Sequence, residues 1–276
     1  MRRRLVVGAL RRYRENVGYA LEDAARVLEC DRSKISRIET GQRGIRPKEL
    51  RELLTEYGVP ASEQLALVSI ASRGGQHSWW RPYADTMSDA CLDYVIMESA
   101  ASEIMTYEAQ LIPDLLQTDE YAVAVAAAAE PGYVTDQQRE EAVAVKAIRR
   151  QAVLSGSRRL SVILGEGALH QVVGGADVLA RQIGHLARLS EDAPAIMLQV
   201  LPFSAGAHVG TGSGSLAILR FLDAPSLGVV YLEALSGGVY LESQPDVARY
   251  IRAFALLRAA ALSPADSARL LRRLAA

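Results

Sequence analysis

The sequence has few residues that build covalent or metal-bound scaffolds, and it lacks a long uncharged apolar run. Its 276 residues include two cysteines, Cys30 and Cys91, whose separation fits neither a metal site nor a redox pair. We therefore expect two ordinary packed thiols and a protein of the reducing cytoplasm. No apolar stretch is long enough to cross a membrane. The start, Met1-Arg-Arg-Arg-Leu-Val-Val, is basic and then apolar, but Arg11 interrupts it too early for a signal peptide.

Groups of residues that indicate catalysis or cofactor binding are scarce as well. The histidines have no metal-ligand spacing; they are His77, His170, His185 and His208. The run Gly210-Thr-Gly-Ser-Gly214 precedes a predicted strand instead of opening a helix, so a flexible loop is favoured over a phosphate cradle. The dispersed acids are interpreted as solvated or capping side chains; they are Glu103, Glu108, Glu166 and Glu233. The sequence therefore predicts no enzyme, no metal site and no cofactor.

Charge is distributed unevenly along the chain. Residues 1–58 carry fourteen Arg or Lys against nine Asp or Glu, a net of +5, whereas the whole chain has a net charge of −1. With 50% apolar residues the chain can bury a sizeable core, and one or two domains are expected. A basic head on an acidic body is typical of a DNA-binding domain that carries a regulatory domain. A solvated surface with uneven charge is the alternative interpretation.

The stretch from Asp31 to Gly41 has the pattern of a short DNA recognition helix. Asp31 can cap the free amides of a first turn, and Gly41 stands where a left-handed residue ends a helix. Ile35 and Ile38 are three residues apart and form an apolar back. The opposite side carries Arg32, Ser33, Ser36, Arg37 and Thr40. Arginine can bind guanine through two hydrogen bonds, and small hydroxyl side chains allow close approach to base edges in the major groove.

Helical spacing of apolar residues predicts further helices around this stretch, over residues 5–16, about 20–28, 47–58 and 62–71. Ala24 and Ala25 are small, as a tight crossing between the second and third helices requires. Pro47 stands at the first position of the fourth helix, where a missing amide costs little. We therefore predict an all-α head of five helices over residues 1–72. A glycine-containing linker over residues 73–78 is expected to follow it.

Two segments, Glu22-Asp-Ala-Ala25 and Ser33-Lys-Ile-Ser-Arg-Ile-Glu-Thr-Gly41, resemble the helix-turn-helix domains of phage-repressor (Cro/C1, or XRE) type. The resemblance implies that three side chains reach bases, namely Arg32, Ser33 and Arg37. It implies that a second set contacts the DNA backbone, namely Lys34, Ser36, Thr40, Arg43 and Arg46. Contacts of the second kind orient a protein on DNA without reading its sequence.

The resemblance also implies a structural ion pair between Arg14 and Glu39. Two features depart from the family pattern. Ala20 and Leu21 stand where a capping hydroxyl residue and often a glutamine are usual. The second helix therefore lacks a side-chain cap, at a cost of about 1 kcal/mol. Glu29 replaces the frequent glycine of the turn between the second and third helices.

Residues 79–276 are predicted to form an α+β domain with a small sheet covered by helices. Helices are expected over residues 89–106, 118–130, 136–155, 177–189, 244–261 and 264–274. Short apolar runs bounded by Gly, Pro, Asp and Ser predict strands over residues 160–164, 196–201, 216–221, 229–235 and 239–242. Residues 107–121 are expected to be a loop and the start of a helix.

This second region resembles the DUF5753 domain that is fused to such repressors in WhiJ-like actinobacterial regulators. The matching segments are Trp79-Trp-Arg, Tyr107-Glu-x-Gln-Leu-Ile-Pro, Leu115-Leu-Gln-Thr, Leu201-Pro-Phe-Ser-Ala-Gly-Ala-His208, Val230-Tyr-Leu-Glu233 and Tyr240-Leu-Glu242. The resemblance implies a small DUF397-type protein as a partner that modulates repression. Trp79, Trp80, Tyr107 and His208 are candidates for an effector or partner site. Packing of the two tryptophans as aromatic anchors is the alternative.

The sequence therefore predicts a cytoplasmic, homodimeric repressor that binds double-stranded DNA and is modulated through its C-terminal domain by a small ligand or a small protein. One alternative is an antitoxin-like interaction module, which would sequester a small partner and autoregulate its own operon. Another is an enzyme with a DNA-binding head, but that would require a pocket where titratable groups converge, and the sequence indicates none.

Overall fold

The computed structural model describes residues 2–72, 79–83, 87, 89–129, 136–156, 158–212, 214–221, 224, 227–234 and 238–275. The linker predicted over residues 73–78 lies outside them. The chain divides into two compact units. The first comprises Met1–Pro82, Ser88–Ala101 and Arg220–Gly228, and the second comprises Tyr83–Met87, Ser102–Leu219 and Val229–Ala276. No helix among the described residues is long and apolar enough to cross a membrane.

Five helices build the N-terminal head, as the apolar spacing predicts. They are α1 (Arg2–Asn16), α2 (Leu21–Val27), α3 (Arg32–Glu39), α4 (Pro47–Glu56) and α5 (Ala61–Ala71). Their core is apolar: Leu10, Ile35, Leu50 and Leu53 have no exposed surface. α1 packs against α3, α4 and α5, and α2 packs against α3 and α4. A sixth helix, α6 (Asp89–Ala100), packs against α5 in the same unit.

The rest of the chain folds around one six-stranded mixed sheet. Its strands are β1 (Glu103–Glu108), β2 (Arg159–Gly165), β3 (Ile196–Leu201), β4 (Leu216–Arg220), β5 (Gly228–Leu232) and β6 (Val239–Leu241), in the spatial order β3-β2-β1-β4-β5-β6. β1, β2 and β3 are parallel, and β5 and β6 are antiparallel. Parallel strands need long crossovers, which the intervening helices supply. The carboxyl ends of the three parallel strands therefore lie at one edge of the sheet.

Helices cover this sheet and close its core. They are α7 (Asp119–Ala129), α8 (Asp136–Leu154), α9 (Ala176–Asp192), α10 (Gln244–Ala260) and α11 (Pro264–Ala275). Phe254 and Leu257 of α10 belong to a buried cluster with Ile163, Ile218 and Val230 of the strands. α11 packs against both α9 and β3. The predicted class, a helical head followed by an α+β domain, is confirmed, and five of the six strands lie where the apolar runs place them.

The predicted helix over residues 89–106 is wrong for its last six residues, 101–106. The helix ends at Ala100, and residues 103–108 form β1 between β2 and β4. Thr106 is β-branched and Tyr107 is aromatic, and both residue types favour strands. Tyr107 pairs in register with Ile163, and Thr106 Oγ1 donates to the Leu216 carbonyl at 3.0 Å. The expectation of two packed thiols is wrong for Cys91, which is exposed.

Candidate nucleic-acid interface

α3 begins and ends as its sequence predicts. The Asp31 carboxylate accepts from the Ser33 amide at 2.7 Å, and hydrogen bonds from Ser33 lower the pKa of Asp31. At the other end Gly41 has a φ of +74°, the left-handed conformation that favours glycine. Ile35 and Ile38 are fully buried. The helix is therefore held at both ends and along its back, which leaves the opposite face for a ligand.

The turn between α2 and α3 contains a strained residue. Glu29 has a φ of +47° and is the only non-glycine residue with positive φ among the described residues. The Cys30 amide donates to the Ala25 carbonyl at 2.9 Å and closes the turn. Ala24 and Ala25 are buried at the crossing with α3. Glycine, the usual residue at this position in the family, would adopt this conformation without strain. Glu29 in its place therefore strains the backbone.

α2 starts without a side-chain cap on Ala20, as expected. The Asp23 carboxylate nevertheless accepts from the Ala20 amide at 2.7 Å. Asp23 therefore satisfies one free backbone donor at this helix end, as the third-position acid of a capping box does. This contact partly compensates for the missing hydroxyl.

Three candidate base-contacting residues project from the exposed face of α3. Arg32, Ser33 and Arg37 are all exposed. Arg32 pairs with Glu22 of α2 at 3.0 Å, but both side chains are more than half exposed, at 64% and 58%. Arg37 makes no ion pair among the described residues. Because exposed ion pairs contribute little, the Arg32 contact can be exchanged for another partner at small cost.

The predicted backbone-contacting residues fall into two groups. Arg43 and Arg46 are exposed in and after the loop that follows α3. Lys34, in contrast, donates to Glu49 of α4 at 2.7 Å, and both side chains are only 20% exposed. The hydrogen bond from Lys34 lowers the pKa of Glu49. This charge is therefore neutralised within the head.

Ser36 and Thr40, two smaller members of the predicted backbone-contacting set, are joined by a hydrogen bond at the end of α3. Thr40 Oγ1 donates to the Ser36 carbonyl at 2.9 Å. Ser36 is half-buried, whereas Thr40 is exposed. The Arg43 amide donates to the Arg37 carbonyl at 2.9 Å, which holds the loop against the end of the helix.

The expected ion pair between Arg14 and Glu39 is present. Arg14 Nε donates to Glu39 Oε1 at 2.7 Å, and Nη2 donates to Oε2 at 2.8 Å. The third guanidinium nitrogen, Nη1, donates to the Tyr19 carbonyl at 2.5 Å. The side chains are 9% and 5% exposed. The pair fixes α1 to the end of α3 and keeps the Glu39 carboxylate out of the exposed face.

The candidate effector residues fall into two pairs, one in each compact unit. Trp79 and Trp80 of the first unit make an edge-to-face contact with ring centroids 5.6 Å apart. Tyr107 and His208 of the second unit make a similar contact at 6.0 Å. Tyr107 is buried and His208 is half-buried, and a side chain at Gly210 would collide with the Tyr107 ring. The structure therefore brings the two matching segments of the second unit together at the end of β1.

A charged cluster beside that contact was missed from the sequence. Asp114 lies 2.8 Å from Lys146 and 3.2 Å from Arg149 of α8. Burial opposes ionisation of Asp114, but Lys146 and Arg149 outweigh it and hold its pKa below the usual value. Glu108, interpreted as a solvated or capping acid, is partly buried instead. Burial, with the nearby carboxylate of Glu233, raises the pKa of Glu108 to about 7. No local pattern marks these contacts, since the partners are separated by thirty or more residues.

Comparisons with known proteins cover both parts of the chain. Residues 6–67 match the model of a helix-turn-helix domain. Residues 91–273 match the model of a family described as a domain of unknown function, DUF5753. Neither a curated protein nor a solved structure matches the chain. Because the second match spans more than half of the 276 residues, the chain belongs to the DUF5753 family and carries a helix-turn-helix domain ahead of the family domain.

Proposed function

We propose that this protein is a sequence-specific transcriptional repressor that binds double-stranded DNA as a homodimer. The observation that carries the proposal is the exposed face of α3, where Arg32, Ser33 and Arg37 project from a helix whose other side is buried. Two such helices, one from each protomer, would enter successive major grooves about 34 Å apart on a roughly palindromic site.

Each residue set has its own role in this proposal. Arg37 and Arg32 read bases, with Ser33 allowing close approach to base edges. Arg43 and Arg46 bind DNA phosphates and thereby set the position of α3. The Arg14–Glu39 pair contacts no DNA and keeps α3 in place. Lys34 would reach phosphate only by giving up Glu49.

The DUF5753 domain is proposed to modulate this binding by taking a partner. Phe203 is 67% exposed and Val172 is 65% exposed, and the Phe203 ring stacks on His170 with centroids 6.0 Å apart. Exposed apolar side chains of this kind can contact a protein partner. The same observation supports the alternative function, an antitoxin-like module whose main activity is to sequester a small protein of the DUF397 type.

Binding to the protein's own upstream DNA tests the main function. Fluorescence anisotropy with short fragments, titrated across salt against scrambled competitor, is expected to show a preference of about 10³ or more and a steep salt dependence. Weak binding without preference would overturn the proposal for the protein alone. A small protein that co-purifies at fixed stoichiometry, together with such weak binding, would support the antitoxin-like alternative.

Arg37→Ala tests the base-contact assignment. We expect a loss of roughly 1–3 kcal/mol in binding free energy and relaxed specificity at one base pair. Arg11→Ala is the matched control, because Arg11 is 60% exposed on α1 and its ion-pair partner is the neighbouring Glu15 carboxylate. The assignment is wrong if Arg37→Ala discriminates between cognate and scrambled DNA as well as the wild type does.

A further inference from the structure

A cavity of about 360 Å³ opens in the helix-turn-helix head, and its lining includes no residue of α3. It lies between the first turns of α1, the loop that joins α3 to α4 and the end of α5. It is lined by Val6, Val7, Ile45 and Ile70, together with Arg3 and Gly44. Val6, Val7 and Ile70 are buried, and the apolar side chains of the lining that keep accessible surface are Ile45, Pro47 and Ala71. The volume is at the small end of the range found for ligand sites, and such sites combine apolar walls with few polar groups.

The polar group of this cavity is positively charged. Arg3 is exposed, and its Nη1 lies 3.4 Å from the Gly41 carbonyl of the loop. The first turn of α1 contains Arg2, Arg3 and Arg4 and no acidic residue. The amino end of a helix carries a partial positive charge, which disfavours cations and favours anions. Arginine in this turn is therefore unfavourable for the helix alone, and an anion beside it would relieve the repulsion.

We propose that this cavity binds a small organic anion with an apolar body, and that binding weakens the attachment of the head to DNA. The apolar body would contact Ile45, Pro47 and Ala71, and the anionic group would accept hydrogen bonds from Arg3. The effect on DNA binding rests on the proposed function. The binding of the anion does not, because it concerns the protein without DNA.

The coupling to DNA follows from a shared loop. Gly44 and Ile45 line the cavity, and the neighbouring Arg43 and Arg46 are the proposed phosphate contacts. A ligand in the cavity places negative charge beside this loop and lowers its attraction for phosphate. Because linkage is reciprocal, DNA would weaken binding of the anion by the same factor.

Gly44 offers a direct way to fill the cavity. Gly44 lines the cavity, and a Cβ built there would meet no atom closer than Arg3 Nη2 at 3.8 Å, so a side chain can be added at this lining position without a clash at its Cβ. Gly44→Phe is therefore the blocking variant. Gly8→Phe is the matched control, because Gly8 is exposed on α1 and a Cβ there meets nothing within 4 Å. Arg3→Gln removes the charge and leaves the walls intact.

Calorimetric titration of the full chain with decanoate, without DNA, tests the binding half. Decyltrimethylammonium serves as the cationic counterpart of the same chain length. We expect decanoate to bind the wild type and Gly8→Phe equally. We expect at least about tenfold weaker binding to Gly44→Phe and to Arg3→Gln, which corresponds to about 1.4 kcal/mol. Equal binding of both amphiphiles to the wild type, no binding of decanoate, or unchanged binding to Gly44→Phe would each overturn the site.

Titration of the upstream DNA complex with decanoate tests the coupling half. We expect the DNA dissociation constant to rise at least fivefold for the wild type and Gly8→Phe, and to stay constant for Gly44→Phe. Decanoate binding without any change in DNA affinity would overturn the coupling and leave the site. Decanoate binding to a protein that shows no preference for its own DNA would overturn the proposed function and leave the site. Specific DNA binding by a protein that does not bind decanoate would overturn the site and leave the proposed function.

Discussion

Arg14 of α1 and Glu39 of α3 form a two-pronged ion pair in the head, with donor–acceptor distances of 2.7 and 2.8 Å. The guanidinium group also binds the Tyr19 carbonyl, so three contacts connect α1, α3 and the segment before α2. The hydrogen bond with Glu39 raises the pKa of Arg14 and keeps it charged. α3 is thereby fixed to α1 by a buried contact.

Removing the carboxylate of this pair is expected to destabilise the head strongly. Glu39→Gln removes the carboxylate that binds the buried Arg14 guanidinium and leaves the half-exposed Glu15 carboxylate at 3.6 Å beside it, so we expect a loss of about 3–5 kcal/mol. Glu52→Gln is the control, because the Lys48–Glu52 pair is 88% and 45% exposed and we expect a change within about 1 kcal/mol. Both tryptophans of the chain, Trp79 and Trp80, lie in the first unit, so urea unfolding followed by tryptophan fluorescence reports on it.

The double variant Arg14→Met with Glu39→Leu provides the decisive comparison. Replacing both charges by apolar side chains removes the desolvation cost together with the attraction, so most of the stability is expected to return. If Glu39→Gln alone unfolds at the same urea concentration as the wild type, the pair does not hold α3 in place.

Glycine at position 29 is expected to stabilise the head. Glu29 has a φ of +47°, where an L side chain costs about 1–2 kcal/mol, while glycine loses about 0.5–1 kcal/mol more conformational freedom on folding. Glu29→Gly is therefore expected to gain up to about 1 kcal/mol, and Glu29→Ala to gain nothing. Gly41→Ala is the reciprocal test, since Gly41 has a φ of +74° and open space around its Cβ position, so any loss there reports backbone strain alone. Urea midpoints of the three variants measure these effects.

The salt dependence of DNA binding is expected to separate Lys34 from Arg43. Each phosphate contact adds close to one unit to the slope of log affinity against log salt concentration. Arg43→Ala is expected to reduce the slope by about 1. Lys34→Ala is expected to change it by less than half as much, because Lys34 already binds Glu49. Equal reductions for the two variants would show that Lys34 exchanges Glu49 for a phosphate in the complex.

Tyr57→Phe is expected to leave the stability of the head unchanged or to raise it by up to about 1 kcal/mol. The Tyr57 hydroxyl is buried and makes no hydrogen bond to any described residue. Burial raises the pKa of Tyr57, and the neighbouring carboxylate of Glu39 raises it further. Removing a buried polar group that has no partner relieves its desolvation cost. A loss above about 1 kcal/mol on unfolding in urea would show that the hydroxyl is satisfied by water.

Glu108→Gln is expected to remove one pH dependence from the second unit. The pKa of Glu108 rises from an ordinary value of 4.5 to about 7 on folding. Between these values the folded state binds more protons than the unfolded state, so Glu108 lowers stability as pH rises through this window, and the loss remains above it. The variant is therefore expected to match the wild type near pH 4 and to exceed it at pH 8, by on the order of 1–3 kcal/mol.

Thermal unfolding followed by far-ultraviolet circular dichroism at a series of pH values measures this difference. Glu120→Gln is the control, because it removes an exposed carboxylate from α7 that pairs with Arg181 on the surface. A difference between Glu108→Gln and wild type that is constant from pH 4 to pH 8 would show that Glu108 is solvated.

The helices of the head could be located from the sequence because their signals are local. The Asp31 cap, the glycine at position 41 and the spacing of Ile35 and Ile38 all act within one or two turns, and each occurs in the structure as its neighbours predict. The family resemblance extended this to one non-local contact, the Arg14–Glu39 pair. Propensity, capping and apolar periodicity agree here, so the local pattern sufficed.

Tertiary structure decided what depends on distant partners. β1 is a strand because β2 and β4 pair with it on both sides, although the preceding helix shares its apolar spacing. Lys34 is neutralised by Glu49 of another helix, and the pKa of Glu108 is set by burial and by a carboxylate more than one hundred residues away. The cavity beside Arg3 exists because three separated segments meet. Hydrogen-bond pairing, desolvation and enclosed volume belong to the folded arrangement of the chain, whereas helix caps and periodicity belong to the residues in sequence order.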